Sequence, residues 1–243
     1  MTEGPHAVNA IPDHVKFVVR FRGENTDIVR DGADWLKDIA KAAALATHTK
    51  LKKVEVITGL YDLLPNNVIA DRVTHHLERN SPVKYTDQEQ TYARAIQKKM
   101  GKSEDGMALG VDPNPNGALM GGSTEVGDVS WCVPTGGAVF AAWPFGVAAH
   151  TWGVTACTGM SIGHKAVMTA AKVLAATALD FLTDPKLLKA ARAEFDERTC
   201  GKPYESLNVL DAPPGGMMNE DARSDYECCI HGAMEHFGIE PHG

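Results

Sequence analysis

Over residues 15–21, Val15, Phe17, Val19 and Phe21 alternate with Lys16 and Arg20, the period-two pattern of a strand with one buried face. Helical spacing takes over at 27–46. Ile28, Trp35, Leu36, Ile39 and Ala43 form a stripe there, Thr26 is placed to cap it, and Gly32 weakens it. Alternation returns over 51–58, where Val54 and Val56 are set against Lys53 and Glu55. After the turn YDLLPN, Asn66 caps a short helix carrying Ile69, Val73 and Leu77, and Ser81-Pro82 ends it. The pattern predicts a small α/β unit of strand, helix, strand and helix.

A second region opens with Thr86 and Glu89 at capping-box spacing, ahead of a helix whose Tyr92, Ile96 and Met100 share a face and which Gly101 stops. Residues 102–122 are rich in Gly and Pro and read as irregular backbone. Short apolar runs over 129–142, broken by Pro134 and Gly136-Gly137, predict strands. A long helix follows at 161–182. Its predicted inner stripe is Ile162, Ala166, Ala170, Leu174, Ala178 and Phe181 to Leu182, opposite Lys165, Thr169 and Lys172. Asp184-Pro185 starts a last helix with Leu187, Ala191 and Phe195 inward, ended by Gly201. From Asp211 the chain is rich in Gly, Pro and charge, and it reads as a weakly ordered tail with one turn of helix near CCIHGAMEHF. No internal repeat is visible.

Composition narrows the partners. The chain has 243 residues, a net charge of −7 and no cluster of Lys and Arg, which argues against a nucleic-acid partner. Five cysteines without a CxxC pair suggest neither a disulfide framework nor a thiolate zinc site, and they fit reduced thiols in a cytoplasmic setting. The amino terminus lacks the basic start and apolar core of a signal peptide. His164, Lys165, Lys172 and Asp180 interrupt the apolar stretch 162–182, so no membrane partner is expected.

Candidate chemistry concentrates between residues 121 and 164, in GGSTEVGDVSW, AHTW and SIGHK. His150 reads either as a metal ligand presented by a loop or as a loop histidine bonded to backbone. Glu125 and Asp128 would place two carboxylates near one cation, although such residues more often satisfy local turn amides. His164 sits in a first helical turn, where the dipole disfavours its protonated form. His75-His76 and Cys228-Cys229 are adjacent pairs whose members diverge, and they take no role. A two-metal hydrolytic site needs several His and carboxylate ligands plus a general base. The sequence contains no His-x-Asp, no Glu-Glu, no Gly-x-Ser-x-Gly elbow, no P-loop and no dinucleotide fingerprint. Alone, this polypeptide lacks a complete active site.

The motif order GGSTEVGDVSWCVPT, AAHTW and SIGHKAVMTAAKVLAATALDFLTDPKLL resembles the carboxy-terminal half of the aminobenzoyl-glutamate utilization protein B group, within the metal-dependent aminoacylase and carboxypeptidase peptidase family. The likeness runs upstream through VKYTDQEQTYARAIQ, YDLLPNN and AVNAIPDHVKFVVRFR, covering about residues 7–207. It implies an α/β fold: the second part of a ferredoxin-like lid that carries a dimer contact (1–79), the carboxy-terminal part of an α/β metallopeptidase-type catalytic domain (80–207), and a tail (208–243). It further implies hydrolysis of an N-acyl or N-aroyl amino acid such as p-aminobenzoyl-glutamate with a divalent metal, manganese or zinc. His150 matches the family's late metal-ligating histidine, and Ser123 and Thr124 its substrate-lining GST turn. Asn9 and Arg20 resemble lid positions that contact a substrate carboxylate. Glu125 departs from the expected Asp by one methylene. The family's His-x-Asp and Glu-Glu belong to an amino-terminal half without counterpart here, so the resemblance implies a truncated or split copy, or a non-catalytic subunit that needs a partner chain through a homodimeric or heterodimeric lid contact.

Overall fold

The computed structural model describes residues 9, 11–80, 83–111 and 121–208. The predicted tail beyond 208, its helical turn, Ser81-Pro82 and the centre of the 102–122 loop lie outside the described residues. The chain divides into two compact units, residues 1–60 with 205–243 and residues 61–204.

In the first unit, α1 runs Thr26–Ala46. Its cap is Asn25, not the predicted Thr26: the Asn25 carboxamide accepts from the Ile28 amide at 3.0 Å, while Thr26 is buried as the first helical residue. Gly32, which weakens the helix in isolation, has a packing reason, because a Cβ there would overlap the ring of Phe21. The predicted strands at 15–21 and 51–58 are not formed. Apart from a single bridge at Lys16 both segments lack ladder structure, and Phe17, Val19, Val54 and Val56 are exposed. Alternation supplies an apolar face, but a strand persists only when a neighbour takes its backbone groups and covers that face. Asn208 does this locally for one residue. Its side-chain amide accepts from Gly59 N at 2.7 Å and donates to Gly59 O at 2.9 Å.

The second unit holds α2 (Asn67–Arg79), α3 (Asp87–Lys99), α4 (Val126–Ser130), α5 (Trp152–Thr158), α6 (Ser161–Thr183) and α7 (Pro185–Thr199). Helix α6 packs against α2, α5 and α7, α2 also meets α7, and α3 meets α5. The capping box forms as the sequence predicts, with Glu89 N donating to Thr86 Oγ1 at 3.2 Å and Thr86 N to Glu89 Oε2 at 2.6 Å. Gly101 ends α3 in the left-handed region at φ +66°. In α7, Ala191 and Phe195 are buried as predicted.

Two apolar clusters fill this unit: Ala93, Met107 and Ile162, and then Ile96, Val147 and Cys157, the latter backed by Trp143 and Met100. Between them Gln97 is fully buried. It accepts from Gly106 N at 2.8 Å and donates to Phe145 O at 3.0 Å, tying two loops to α3.

The α/β expectation is not confirmed: among the described residues the fold is mostly helical and contains no strand. Part of the predicted 129–142 strand is α4, and Pro134, which cannot donate to a ladder, lies in the irregular segment after it. The α6 stripe is corrected. Ile162, Ala166, Val173 and Thr177 face inward, while Leu174 and Leu182 are exposed. The helix is apolar on both sides, so periodicity could not choose between them.

Candidate functional site

The GST turn leads into α4. Thr124 O accepts from Gly127 N at 3.1 Å and Thr124 Oγ1 accepts from Val126 N at 3.3 Å, so its hydroxyl proton stays available for a ligand. Ser123 and Glu125 are exposed, and Glu125 precedes α4 without making a side-chain cap. Below them the turn is anchored tightly. A Cβ at Gly127 would overlap the Tyr61 carbonyl oxygen, which makes glycine the residue that lets these backbones meet. Ser130 Oγ donates to Gly127 O at 2.5 Å and accepts from Leu64 N at 2.8 Å, and Trp131 Nε1 donates to Asp62 O at 2.9 Å.

Tyr61 lies 5.5 Å from the Trp131 ring and 5.1 Å from that of Tyr204. The Tyr204 hydroxyl donates to Asp128 Oδ1 at 2.9 Å. Asp128 Oδ2 is buried without a hydrogen-bond partner among the described residues. Asp128 thus holds the turn rather than opening toward a cation. Sequence reasoning missed Tyr61, Trp131 and Tyr204, of which Tyr61 lies in the predicted turn and Trp131 in the predicted strand run 129–142.

His150 is exposed and sits at φ +62°, one of three non-glycine residues in the left-handed region among the described residues. Histidine adopts this region more readily than most side chains, but the conformation still costs about 1 kcal/mol. Thr151, which follows it, donates its hydroxyl to Ala148 O at 2.8 Å and is the N-cap residue of α5. The backbone on either side of His150 is therefore fixed while its ring stays open to solvent. His164 is exposed in the first turn of α6.

Ser123, Thr124 and His150 belong to the second unit, whereas Asn9 and Arg20 are exposed residues of the first. Among the described residues no three His, Cys, Asp or Glu side chains cluster closely enough to hold a metal ion. One histidine does not make a metal centre, so the donors among the described residues do not fit a catalytic metal by themselves.

Three carboxylates outside this surface, Glu89, Asp180 and Glu194, tie helices together. Glu89 is nearly buried, and burial acts to raise its pKa. Hydrogen bonds from Lys165 (2.6 Å), Ser161 (2.7 Å) and the Thr86 amide outweigh that and hold it down to about 2. Asp180 on α6 is lowered first by Arg72 and then by His76, whose Nε2 lies 2.6 Å from Oδ2. Glu194 on α7 accepts from the Asn67 and Val68 amides at 2.9 and 3.0 Å, capping α2 from outside; burial opposes its charge, yet these bonds and Arg198 lower its pKa.

The chain is a distant relative of hydrolases that act on amide bonds. One is a subunit of the p-aminobenzoyl-glutamate hydrolase of Escherichia coli (strain K12), 26% identical over 239 aligned residues that cover 86% of this chain and 49% of the relative. Another is the Xaa-Arg dipeptidase of Mus musculus, 26% identical over 192 residues, 77% of this chain and 37% of the dipeptidase. The resemblance drawn from GGSTEVGDVSW and AHTW is thereby borne out. The chain spans less than half the length of these two relatives. No family model and no solved structure matches it.

Proposed function

We propose that this chain supplies one side of the site of a metal-dependent amidohydrolase for N-acyl amino acids such as p-aminobenzoyl-glutamate, the other side being formed by polypeptide equivalent to what the two relatives carry beyond the matched part. The observation that carries the reading is His150, placed open to solvent between backbone restraints, within a sequence related to two amide hydrolases. In this reading the imidazole contributes one ligand, and the remaining ligands and the general base come from that accompanying polypeptide. A divalent metal, manganese or zinc, would supply Lewis-acid activation of the amide. On the second unit the Ser123 and Thr124 hydroxyls would hold a substrate carboxylate; on the first, Asn9 and Arg20 keep the carboxylate-contact role that the resemblance implies. Residues 1–79 would carry a dimer contact, and the setting would be cytoplasmic, in keeping with the free thiols of Cys132, Cys157 and Cys200.

A second reading is a non-catalytic subunit. It is favoured by the lack of a metal cluster among the described residues and by the Escherichia coli relative, which is itself named as one subunit of its enzyme. Hydrolysis of p-aminobenzoyl-glutamate with added manganese or zinc separates the two, measured on the chain alone and on the chain co-expressed with the half of the Escherichia coli relative that it does not match. The expected result is no turnover alone and turnover in the pair, lost in His150→Ala. Robust turnover by the chain alone would show that its site is complete.

A further inference from the structure

Helix α6 is apolar on two opposite faces, and the second unit covers one of them. Ile162, Ala166 and Val173, with exposures of 1%, 4% and 0%, form the covered face. On the other, Val167 (66%), Met168 (58%), Leu174 (47%), Leu179 (59%) and Leu182 (83%) stand in solvent, with alanines between them and Lys172 at the border. Residues 161–183 are long and apolar enough to cross a membrane by length and composition alone. They are nevertheless anchored on one side, where α2, α5 and α7 pack and Asp180 pairs with Arg72 and His76 of α2. A helix that is hydrophobic all round belongs inside a protein, and monomers rarely leave such a stripe uncovered.

We infer that this face of α6 is the docking surface for a polypeptide equivalent to the half of the Escherichia coli p-aminobenzoyl-glutamate hydrolase chain that this sequence does not match. This deepens the proposal that further polypeptide completes the site, and it rests on that reading. The match covers 86% of this chain but only 49% of the relative, so in the relative a comparable length of polypeptide accompanies the matched part. An apolar helix face with one side packed is what remains when the opposite layer of a two-layer domain is carried by other residues. Apart from the His164 imidazole in the first turn and Lys172 at the border the surface is apolar, so its partner presents an apolar sheet or helix face rather than an acidic or basic one. The anchored opposite side disfavours a bilayer.

The full chain is co-expressed with the tagged, unmatched half of the Escherichia coli relative, and the recovered complex is sized by light scattering. A one-to-one complex is expected. Leu174→Glu/Leu182→Glu should lower its recovery at least tenfold, and Leu182→Ser alone should do so by a smaller factor, with circular dichroism unchanged. Lys189→Glu, an exposed change on α7, should have no effect. Undiminished recovery in both α6 variants overturns the assignment. So does a mass of twice the chain alone that the variants abolish, or variant-sensitive binding to phosphatidylcholine vesicles. A complex that depends on α6 yet is inert on p-aminobenzoyl-glutamate would sink the hydrolase reading and leave the docking surface standing.

Discussion

Glu89→Gln tests the buried ionic knot that joins α3 to α6. Glu89 Oε2 receives Lys165 Nζ at 2.6 Å and the Thr86 amide, and Oε1 receives Ser161 Oγ at 2.7 Å. Folding lowers its pKa from 4.5 to about 2, a shift of about 2.5, equivalent to roughly 3 kcal/mol. Lys165 is 33% exposed, and water there screens part of the attraction, so we expect about 2 kcal/mol. The folded pKa is depressed, so this stability is fully present above about pH 4.5 and is lost as pH falls through 2. Urea unfolding of the full chain, followed by hydrogen exchange at α3 amides from pH 7 to pH 2.5, reads it directly. Wild type should lose about 1.5 kcal/mol more than Glu89→Gln over that window, about three quarters of the whole, and Lys165→Met should remove most of the difference. Parallel stability curves for wild type and Glu89→Gln would refute the reasoning.

Three further outcomes are expected. Gly127→Ala drives a methyl into the Tyr61 carbonyl and should cost about 2–3 kcal/mol, read as a lower melting temperature with loss of Trp131 burial by fluorescence. Asp180→Asn should loosen α2 from α6 and flatten the loss of stability below the usual carboxylate range, since Arg72 and then His76 hold its carboxyl low; acid titration of helicity measures this. His150→Gly should raise stability by up to about 1 kcal/mol through relief of its left-handed backbone, while abolishing any turnover of the reconstituted pair.

Helices with local signals were legible in the sequence. Thr86 and Glu89 announced α3, Asn66 announced α2 and Asp184-Pro185 announced α7, because caps are settled within four residues. The strands were not, because alternation at 15–21 and 51–58 states a preference that only a pairing neighbour can realise. Helix α6 was half legible: its length followed from composition, but two apolar faces gave periodicity no basis for choosing the buried one. For the candidate site, His150 and the GST turn were visible as motifs. The contacts that position them, such as Gly127 on Tyr61 or Tyr204 on Asp128, span 66 and 76 residues, and no local pattern encodes them.

The capping of α2 by Glu194 carries a consequence for biosynthesis. Asn67 leaves the ribosome 127 residues before the carboxylate that completes its first turn, and Asn66 waits 125 residues for the Ala191 carbonyl that takes its side-chain amide. During translation the start of α2 therefore has open amides, and the second unit closes only after α7 has emerged. Such closure is slow and exposes apolar surface to chaperones, so a nascent chain stalled before residue 191 should still be held by them when its first six helices are already synthesised.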